Sequence, residues 1–282
     1  MHCAWDAYLR LLPYWMRHDV DKYGQNSLQE LRLRLGLPPE LRCGSKTYYL
    51  EQKITDADIR YCIDTASQYS PWSVASVQHG YITAQGGHRI GICGEAVYDG
   101  TSINGIRCPR MLCIRVARDF PGISERIELN SGVLLIIGRP GSGKTTLLRD
   151  MIRRYSDEGN LTVGVVDERS EIFPNVAGAI CFSPGTHTDI LYGCTKADGI
   201  EVMLRTMNPD ILAVDEITSK QDCNALIHAG WCGVHMIATA HAGNLKDFLS
   251  RPVYRPLTAS GLITGVITLH ADKTYTVERM KE

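Results

Sequence analysis

The sequence of 282 residues predicts an α/β protein whose parallel β-sheet core follows a smaller, mixed α+β part. In the second half, continuous apolar runs alternate with helical segments, which is typical of strands buried on both faces of a parallel sheet. Between Gly80 and Arg118, short β-rich runs are punctuated by glycines, which indicates a separate small unit. Pro121-Gly122 supplies a junction, so we expect an N-terminal platform domain over residues 1–122 and a second domain over residues 123–282.

The composition restricts both the compartment and the class of partner. With 30 basic and 31 acidic residues the net charge is −1, which removes the broad electrostatic attraction expected of a nucleic-acid or anionic-membrane binder. The longest uninterrupted apolar run, Val133–Ile137, is far shorter than the ~20 residues that span a bilayer. Ten cysteines are scattered without a Cys-x-x-Cys pair, and residues 1–17 lack the apolar segment of a signal peptide. We therefore expect reduced thiols and a cytoplasmic protein.

Local patterns predict the elements of the N-terminal part. A helix is expected over Ala4–His18, with an interruption at Pro13. Over Leu31–Leu37, leucines alternate with other residues, which is the pattern of a strand with one buried face. Thr55–Gln68 begins with a helix-start pattern and continues with apolar residues at helical spacing. Three short strands are then expected, at Tyr81–Thr83, Arg89–Cys93 and Leu112–Val116.

The second half is predicted to contain the strands of the parallel sheet. Those strands are Gly132–Ile137, Leu161–Val166, Ile211–Val214 and Met236–Ala240. A helix is expected over Lys144–Tyr155, and another is expected to end at Met207. Ile263–Leu269 and Thr274–Val277 are separated by a short polar segment, which predicts a closing hairpin.

The strongest functional signal is a complete G-x-x-x-x-G-K-[ST] motif between a buried strand and a helix. Its glycines allow backbone N–H groups to surround phosphates, and the helix N-terminus adds the positive end of its dipole. Lys144 can reach the β- and γ-phosphates, and the Thr145 hydroxyl suits a magnesium ligand. The sequence therefore predicts a RecA-like P-loop NTPase core that binds ATP and Mg²⁺. The expected nucleotide-binding residues are Gly138, Arg139, Pro140, Gly141, Ser142, Gly143, Lys144, Thr145 and Thr146.

Two acids follow the predicted strand Ile211–Val214, at the carboxyl end where α/β sheets bind ligands. Asp215 is expected to hold magnesium, directly or through a water, together with Thr145. Glu216 is expected to polarise the water that attacks the γ-phosphate. An Asp-Glu pair is also ordinary in a surface turn, but its place about 70 residues after a P-loop favours the catalytic interpretation.

Two further strand ends carry weaker signals. In Asp167–Glu171, Glu168 or Glu171 could support magnesium or orient water, while the alternative is a solvated loop pairing with Arg169. His241 could sense hydrolysis by donating a hydrogen bond to the γ-phosphate, or it could be an ordinary satisfied histidine. The neighbouring P-loop favours the functional interpretation of both. An arginine opposite the P-loop is also expected. The candidates are Arg89, Arg107, Arg110, Arg115 and Arg118.

These pieces, in this order, resemble the secretion-superfamily ATPases of type II and type IV secretion and pilus systems. The resemblance assigns a Walker A loop to Gly138–Thr145, an acidic box to Asp167–Glu171, a Walker B strand to Ile211–Glu216 and a His box to His235–His241. The chain departs from the pilus motors at Asp215, because they commonly have a glycine before the Walker B glutamate.

A closer resemblance, over about Glu30–Asn244, is to the stage III sporulation protein AA family. The blocks that carry it are Glu30–Arg34, Gly80–Thr83, Gly86–Gly91, Asp189–Leu191, Lys196–Gly199 and Asp215–Ile217. The resemblance implies a mother-cell ATPase of endospore-forming bacteria that energises or assembles a secretion-like channel complex facing the forespore. It also implies a homo-oligomer, a hexameric ring by analogy, that works with integral membrane proteins at the cytoplasmic face of a membrane. No nucleic-acid partner is expected.

Three alternatives stay open from the sequence. The chain could be an ATP-binding assembly scaffold with negligible turnover, although the presence of Glu216 argues against this. It could be a nucleic-acid-stimulated P-loop motor, although a balanced charge and only 4 Phe and 4 Trp give no evident stacking platform. It could also be a small-molecule kinase, although no acceptor-binding lid or phosphate clamp stands out after the P-loop.

Overall fold

The computed structural model describes residues 1–67, 80–100, 103–128, 132–159 and 161–280. The chain forms two compact units. The N-terminal unit comprises Met1–Asp119 together with Pro174–Phe182, and the core unit comprises Phe120–Phe173 and Ser183–Glu282. The chain therefore passes from one unit to the other at residues 119–120, 173–174 and 182–183.

The elements follow one another in this order along the chain. Up to residue 115 they are α1 (Trp5–Arg10), α2 (Tyr14–Asp21), α3 (Gly24–Ser27), β1 (Glu30–Arg34), β2 (Glu40–Cys43), β3 (Lys46–Tyr49), α4 (Asp56–Ser67), β4 (Tyr81–Thr83), β5 (Arg89–Tyr98) and β6 (Ile103–Arg115). After it they are β7 (Val133–Gly138), α5 (Lys144–Asp157), β8 (Val163–Asp167), β9 (Asn175–Val176), β10 (Ala179–Ile180), β11 (Thr188–Tyr192), α6 (Lys196–Thr206), β12 (Ile211–Val214), α7 (Lys220–Trp231), β13 (His235–His241), α8 (Leu245–Ser250), α9 (Arg255–Ala259), β14 (Ile263–Leu269) and β15 (Tyr275–Arg279).

The N-terminal unit contains an antiparallel sheet with strand order β3-β2-β1-β6-β5-β4. Leu31 and Leu33 of β1 are fully buried, as their alternation predicts. The predicted strand over Leu31–Leu37 is too long, because the sheet pairing ends at Arg34. Leu37 is accordingly 52% exposed.

Two predicted boundaries in the N-terminal unit are explained by local hydrogen bonds. Pro13 stands at the N-cap of α2 and divides the predicted first helix into α1 and α2. The Thr55 backbone N–H donates to Asp58 Oδ2 at 2.8 Å, and the Asp58 N–H donates to Thr55 Oγ1 at 3.3 Å. This reciprocal pair caps α4 at its start. Gln68, where that helix was expected to end, lies outside the described residues.

The hairpin of β9 and β10 lies in the segment Pro174–Phe182, which belongs to the N-terminal unit although the chain before and after this segment belongs to the core unit. Phe182, which follows this hairpin, approaches Gly87 so closely that a Cβ there would lie 3.1 Å from the phenyl ring. Gly87 also has a φ of +79°, a conformation that favours glycine. The sequence alone does not predict this hairpin.

The core unit contains the predicted parallel sheet, with strand order β11-β8-β12-β13-β7-β14-β15. Neighbouring strands from β11 to β14 are parallel, and β15 is antiparallel to β14. The α/β prediction and the closing hairpin are therefore confirmed. The interior strand β7 is buried throughout, and α5 covers the sheet with an apolar face that includes Leu147, Leu148, Met151 and Ile152.

Short polar residues fix where the helices of the core unit begin. The Ser219 hydroxyl accepts the Asp222 N–H, and the Asp222 carboxylate accepts the Ser219 N–H, which forms a complete capping box for α7. Thr195 caps α6 with one of these two bonds, because its hydroxyl accepts the Asp198 N–H. Among the described residues, no helix combines the length and apolarity needed to cross a membrane.

Candidate nucleotide-binding site

The loop between β7 and α5 has the backbone that its glycines predict. A Cβ at Gly138 would lie 2.5 Å from Ser142 Oγ and 3.0 Å from the Leu269 carbonyl oxygen. Gly141 and Gly143 have φ values of +74° and +106°, which side-chain-bearing residues rarely adopt. The Ser142 hydroxyl is buried and has no hydrogen-bond partner within the described part of the chain. The loop is therefore a folded cradle that contains an unsatisfied polar atom.

Lys144 points back into this loop. Its ammonium donates to the carbonyl oxygens of Gly138 and Arg139, both at 3.1 Å. Burial lowers the pKa of Lys144 because it disfavours the charged form, while the nearby carboxylates of Asp215 and Glu216 oppose that effect. The ammonium is thus held by exchangeable carbonyl contacts at the position where phosphate is predicted to bind.

The P-loop meets the acids that follow β12. The Thr145 hydroxyl donates to Asp215 Oδ2 at 2.7 Å, which brings together the two residues predicted to hold magnesium. Glu216, the next residue, has a φ of +55°, a left-handed conformation that is uncommon outside glycine. Its backbone has therefore left the ladder of the sheet and needs support from a neighbouring strand.

His241 bridges the P-loop lysine and this glutamate. His241 Nδ1 lies 3.0 Å from Lys144 Nζ, and His241 Nε2 lies 3.0 Å from Glu216 Oε1. Since an ammonium can only donate, Nδ1 accepts, and the proton of the neutral ring is on Nε2, where it donates to the carboxylate. His241 is thus part of the site, although the contacts that it makes here are to side chains.

Sequence reasoning missed Thr239, which lies two residues before His241 on β13. Its hydroxyl accepts the Glu216 backbone N–H at 2.8 Å and donates to Asp215 Oδ1. The side chain is fully buried. Residues i and i+2 of a strand point to the same face of the sheet. The sequence spacing of Thr239 and His241 could therefore have indicated that Thr239 faces the same site.

The acidic loop after β8 is organised by its first residue. Asp167 is 2% exposed and accepts the backbone N–H groups of Glu171, Ile172 and Phe173 at 2.8 to 3.0 Å. Burial raises the pKa of Asp167, and the three N–H donors oppose that rise. Arg149 on α5 then donates to the Ile172 carbonyl oxygen at 2.5 Å and to that of Glu171 at 3.2 Å. The loop is therefore attached to the helix that follows the P-loop.

Glu168 and Glu171, the two predicted catalytic acids of this loop, line one narrow cleft together with Asp215 and Glu216. Glu168 forms an ion pair with Lys196, the first residue of α6, whose side chain is 8% exposed. The predicted alternative, a loop paired with Arg169, is not among the ion pairs of the described residues. Lys196 was singled out by the sequence only as part of a resemblance, with no role attached.

Lys273, from the turn between β14 and β15, is a second missed residue at the P-loop. Its ammonium donates to the Gly141 carbonyl oxygen at 2.6 Å. No sequence signal pointed to it, because the turn joins two strands at the far end of the chain. It adds a positive charge on the outside of the loop.

The candidate arginines all lie in the N-terminal unit. Arg118 donates to the backbone carbonyl oxygens of Gln25 and Leu28, which gives it a structural use. The Arg89 guanidinium lies over the Tyr81 ring at 4.1 Å. Arg107, Arg110 and Arg115 are exposed on β6.

The residues of the core unit fit magnesium and a nucleotide by their chemistry. The Thr145 hydroxyl and the Asp215 carboxylate supply the oxygen ligands that Mg²⁺ prefers. The glycine cradle, the orphaned Ser142 hydroxyl and the Lys144 ammonium supply donors for phosphate oxygens. Thr146, the remaining predicted binding residue, is half-buried in the first turn of α5.

Comparison with known proteins agrees with this architecture. The profile of the family described as "Sporulation stage III, protein AA" matches residues 9–279. Stage III sporulation protein AA of Bacillus subtilis (strain 168) is 35% identical over 260 residues, which cover 88% of this chain and 85% of that protein.

Two solved structures have a similar fold. The Legionella pneumophila ATPase DotB superposes with a TM-score of 0.61 at 16% identity, over 96% of this chain and 80% of that one. The pilus retraction motor PilT, solved with bound ADP, superposes with a TM-score of 0.63 at 14% identity, over 93% of this chain and 82% of that one. At such low identity these likenesses bear on the fold alone, and they confirm the predicted RecA-like core. Because the family profile spans nearly the whole sequence, this chain belongs to the sporulation stage III protein AA family.

Proposed function

We propose that this protein is a magnesium-dependent ATPase. The observation that carries the proposal is the connected set of side chains in the core unit: Thr145 contacts Asp215, and His241 contacts both Lys144 and Glu216. Two of these contacts join the P-loop segment to a residue at a neighbouring strand end, namely Thr145 to Asp215 and Lys144 to His241. The third joins two strand ends, His241 to Glu216. This arrangement supports the proposal, because phosphoryl transfer to water needs phosphate-binding, metal-holding and water-orienting groups side by side, and the carboxyl ends of parallel strands are where such sheets bind ligands.

Each group of residues in the site has a separate role in the proposed reaction. Backbone N–H groups of the P-loop and Lys144 bind the phosphates of ATP, and Lys144 exchanges its carbonyl contacts for phosphate oxygens. Thr145 and Asp215 would hold Mg²⁺, which supplies charge neutralisation at the phosphates when bound. Glu216 orients the attacking water and accepts its proton as the γ-phosphate is released from ADP. His241 holds the Glu216 carboxylate and responds when Lys144 moves to the nucleotide.

The acidic loop after β8 supplies two further carboxylates to the proposed site. Glu168 and Glu171 line the cleft that also contains Glu216, so we propose that one of them helps to orient the water or supports the metal. The N-terminal platform, with a boundary near residue 122, would present an exposed arginine such as Arg107 or Arg110 to a neighbouring subunit's nucleotide. This assignment excludes Arg118, which is already used by backbone carbonyls.

We propose further that the ATPase works as a homo-oligomeric ring, hexameric by family analogy. Its place would be the cytoplasmic face of a membrane in the mother cell, beside integral membrane proteins of a secretion-like sporulation complex. Membership of the sporulation family and the likeness of fold to an ATPase and a pilus motor support this assignment. The ATP-binding scaffold with negligible turnover is the competing function.

The test is phosphate release by the full chain with Mg²⁺-ATP, over a series of protein concentrations. The parent is compared with Glu216→Gln and Lys144→Ala. We expect Glu216→Gln to bind nucleotide but to lose turnover by about 100-fold or more, because the glutamine cannot accept the proton of the attacking water. Lys144→Ala should lose both binding and turnover.

The concentration series distinguishes the competing functions. Specific activity that rises with protein concentration supports a site completed between subunits. Nucleotide binding without turnover at every concentration favours the scaffold. Equal turnover in the parent and both variants would contradict the assignment of the site.

A further inference from the structure

Among the described residues, Thr239 is the one whose side chain hydrogen-bonds to both Asp215 and Glu216. Within the described residues it accepts the Glu216 backbone N–H at 2.8 Å and donates to Asp215 Oδ1. It therefore connects the carboxylate of one acid with the backbone of the other. Neither His241 nor Thr145 does this, since each contacts the side chain of one acid.

The position of Thr239 in the sheet explains why it reaches both residues. β12 and β13 are parallel, and Val214 pairs with Ala238. Asp215 follows Val214 and Thr239 follows Ala238, so Asp215 and Thr239 lie side by side where β12 ends. The Ile217 backbone N–H also donates to the Thr239 carbonyl oxygen at 2.8 Å, which closes the turn around Glu216.

Packing alone does not explain a threonine at this position. Thr239 is fully buried between Ala238 and Ala240. Valine has nearly the same shape and would be less costly to bury, because a hydroxyl loses its hydration on burial. The hydroxyl recovers that loss through the two hydrogen bonds to the acid pair. The residue type is thus explained by these two bonds.

The backbone of Glu216 needs this support. Its φ of +55° is strained for a residue with a side chain, and its N–H points away from the regular ladder. Among the described residues, the Thr239 hydroxyl is the acceptor that this N–H uses. Loss of the hydroxyl would release both the backbone of Glu216 and one oxygen of Asp215.

We propose that Thr239 is a positioning residue: its buried hydroxyl holds Asp215 and Glu216 as one rigid pair, so that the metal-holding and water-orienting groups keep a fixed separation. This inference rests on the proposed ATPase function. Thr239 does not touch the substrate, and it acts through the two acids. A comparable supporting residue in a metal site typically contributes a factor of about 10 to 100 in activity or metal affinity.

The test compares Thr239→Val, which removes the hydroxyl but keeps the shape, with Thr239→Ser, which keeps the hydroxyl. The matched control is Thr268→Val, because Thr268 is also a buried threonine of this sheet, yet its hydroxyl has no hydrogen-bond partner among the described residues. All variants are full chains. The measurements are kcat and KM for ATP, the Mg²⁺ dependence of binding of a fluorescent ATP analogue, and amide hydrogen exchange at Glu216 without nucleotide.

We expect Thr239→Val to lower kcat by about 10- to 100-fold and to raise the Mg²⁺ concentration for half-maximal binding by about 10-fold, as loss of a supporting residue predicts. KM for ATP should change much less, because the P-loop is intact. Exchange of the Glu216 amide should become at least about 10-fold faster, since its acceptor is gone. Thr239→Ser and Thr268→Val should resemble the parent in all three measurements.

The outcomes separate this inference from the proposed function. If no variant and no parent turns over ATP, the proposed function fails, while amide exchange and Mg²⁺-dependent binding still decide the role of Thr239. Unchanged exchange in Thr239→Val would overturn the inference. It would also be overturned if Thr239→Ser were as defective as Thr239→Val, or if Thr268→Val were equally defective.

Discussion

The strands β8 and β12 lie side by side, and an acid stands at the carboxyl end of each: Asp167 is the last residue of β8, and Asp215 follows β12 directly. The two acids have different hydrogen-bond partners. Val166 pairs with Val214, so Asp167 and Asp215 follow at matching positions. Asp167 is 2% exposed and accepts three backbone N–H groups of its own loop. Asp215 accepts the hydroxyls of Thr145 and Thr239 instead.

The difference shows that position in the sheet does not by itself determine what a strand-end acid does. Asp167 uses three of the about four lone-pair sites of its carboxylate on backbone N–H groups, and these bonds fix the shape of its loop. A carboxylate held by hydroxyls can exchange one of them for a cation. Hydrogen-bond partners therefore distinguish the acid that organises a loop from the acid that we propose to hold magnesium, although the two stand at equivalent positions.

The largest effect is expected from Asp215→Asn, at the acid that we propose to hold magnesium. A neutral amide is a poor magnesium ligand, and the loss of metal charge stabilisation amounts to about 4 kcal/mol, or about 1,000-fold in turnover. The melting temperature should stay close to that of the parent. Turnover and thermal unfolding measured on the same preparation check this, and a variant that retains turnover would break the comparison.

Asp167→Ala should show the opposite behaviour, with a loss of stability. It leaves three backbone N–H groups without their acceptor inside the loop, which costs about 3 kcal/mol in the free energy of unfolding. Denaturant unfolding measures this change. Asp157→Ala is the control and should cost about 1 kcal/mol or less, because Asp157 is exposed and, among the described residues, accepts hydrogen bonds only from Thr186. Equal costs would mean that the Asp167 bonds do not organise the loop.

Lys196→Met tests whether Glu168 depends on its partner. The ion pair holds Glu168 at the wall of the acidic cleft, so its loss should reduce turnover by about 10-fold, the lower end for a supporting residue. Lys196→Arg should retain most of the activity because it keeps the charge. Lys220→Met changes an exposed lysine at the start of the next helix, and it should have no effect. Loss of activity in Lys220→Met would show that the readout lacks specificity.

The smallest effect concerns the two histidines, which repeat the contrast between the acids. His241 contacts side chains, whereas the buried His88 uses both ring nitrogens on backbone: Nδ1 accepts the Ala117 N–H at 3.0 Å and Nε2 donates to the Ala4 carbonyl oxygen at 2.9 Å. Burial lowers the pKa of His88, and the nearby Arg118 adds to this, while the bond to Ala4 opposes it. The Tyr8 ring packs against it edge-on.

His88 should therefore make stability depend on pH in the acidic range. Its folded-state pKa lies below the unfolded value of about 6.5, so its contribution is complete above that pH and is lost as the pH falls. We expect the free energy of unfolding to decrease by at most about 1 kcal/mol between pH 7.0 and 5.5 on account of this residue. His88→Gln cannot titrate and should show a correspondingly flatter pH dependence. Identical slopes in both proteins would exclude the effect.

The sequence predicts the parts of the site that depend on local pattern. The P-loop, the strand before it and the acids after β12 all carry a signal within about ten residues. The strand β11 was missed, although Asp189–Leu191 was noticed, because its half-buried residues show neither alternation nor a continuous apolar run. It is a strand because β8 offers it a parallel edge.

The long-range contacts that connect the candidate site cannot be predicted from local sequence patterns. Thr239, Lys196 and Arg149 each act on a residue at least 22 positions away. A single sequence gives no register between strands, so it cannot say that Thr239 lies beside Asp215. The left-handed backbone of Glu216 was equally hidden, since such a conformation in a non-glycine residue is set by tertiary contacts.

The excursion of residues 174–182 has a practical consequence for dissecting the molecule. A fragment that ends at residue 119 would lack the β9–β10 hairpin, so Gly87 would lose the phenyl ring of Phe182 that now packs against it. A fragment that starts at residue 120 would carry that hairpin without the Gly87 segment, so the phenyl ring of Phe182 would lose its packing partner and become an exposed apolar group. A cut at this junction therefore removes native packing from both fragments, so we expect each fragment to be less stable than the same residues in the full chain.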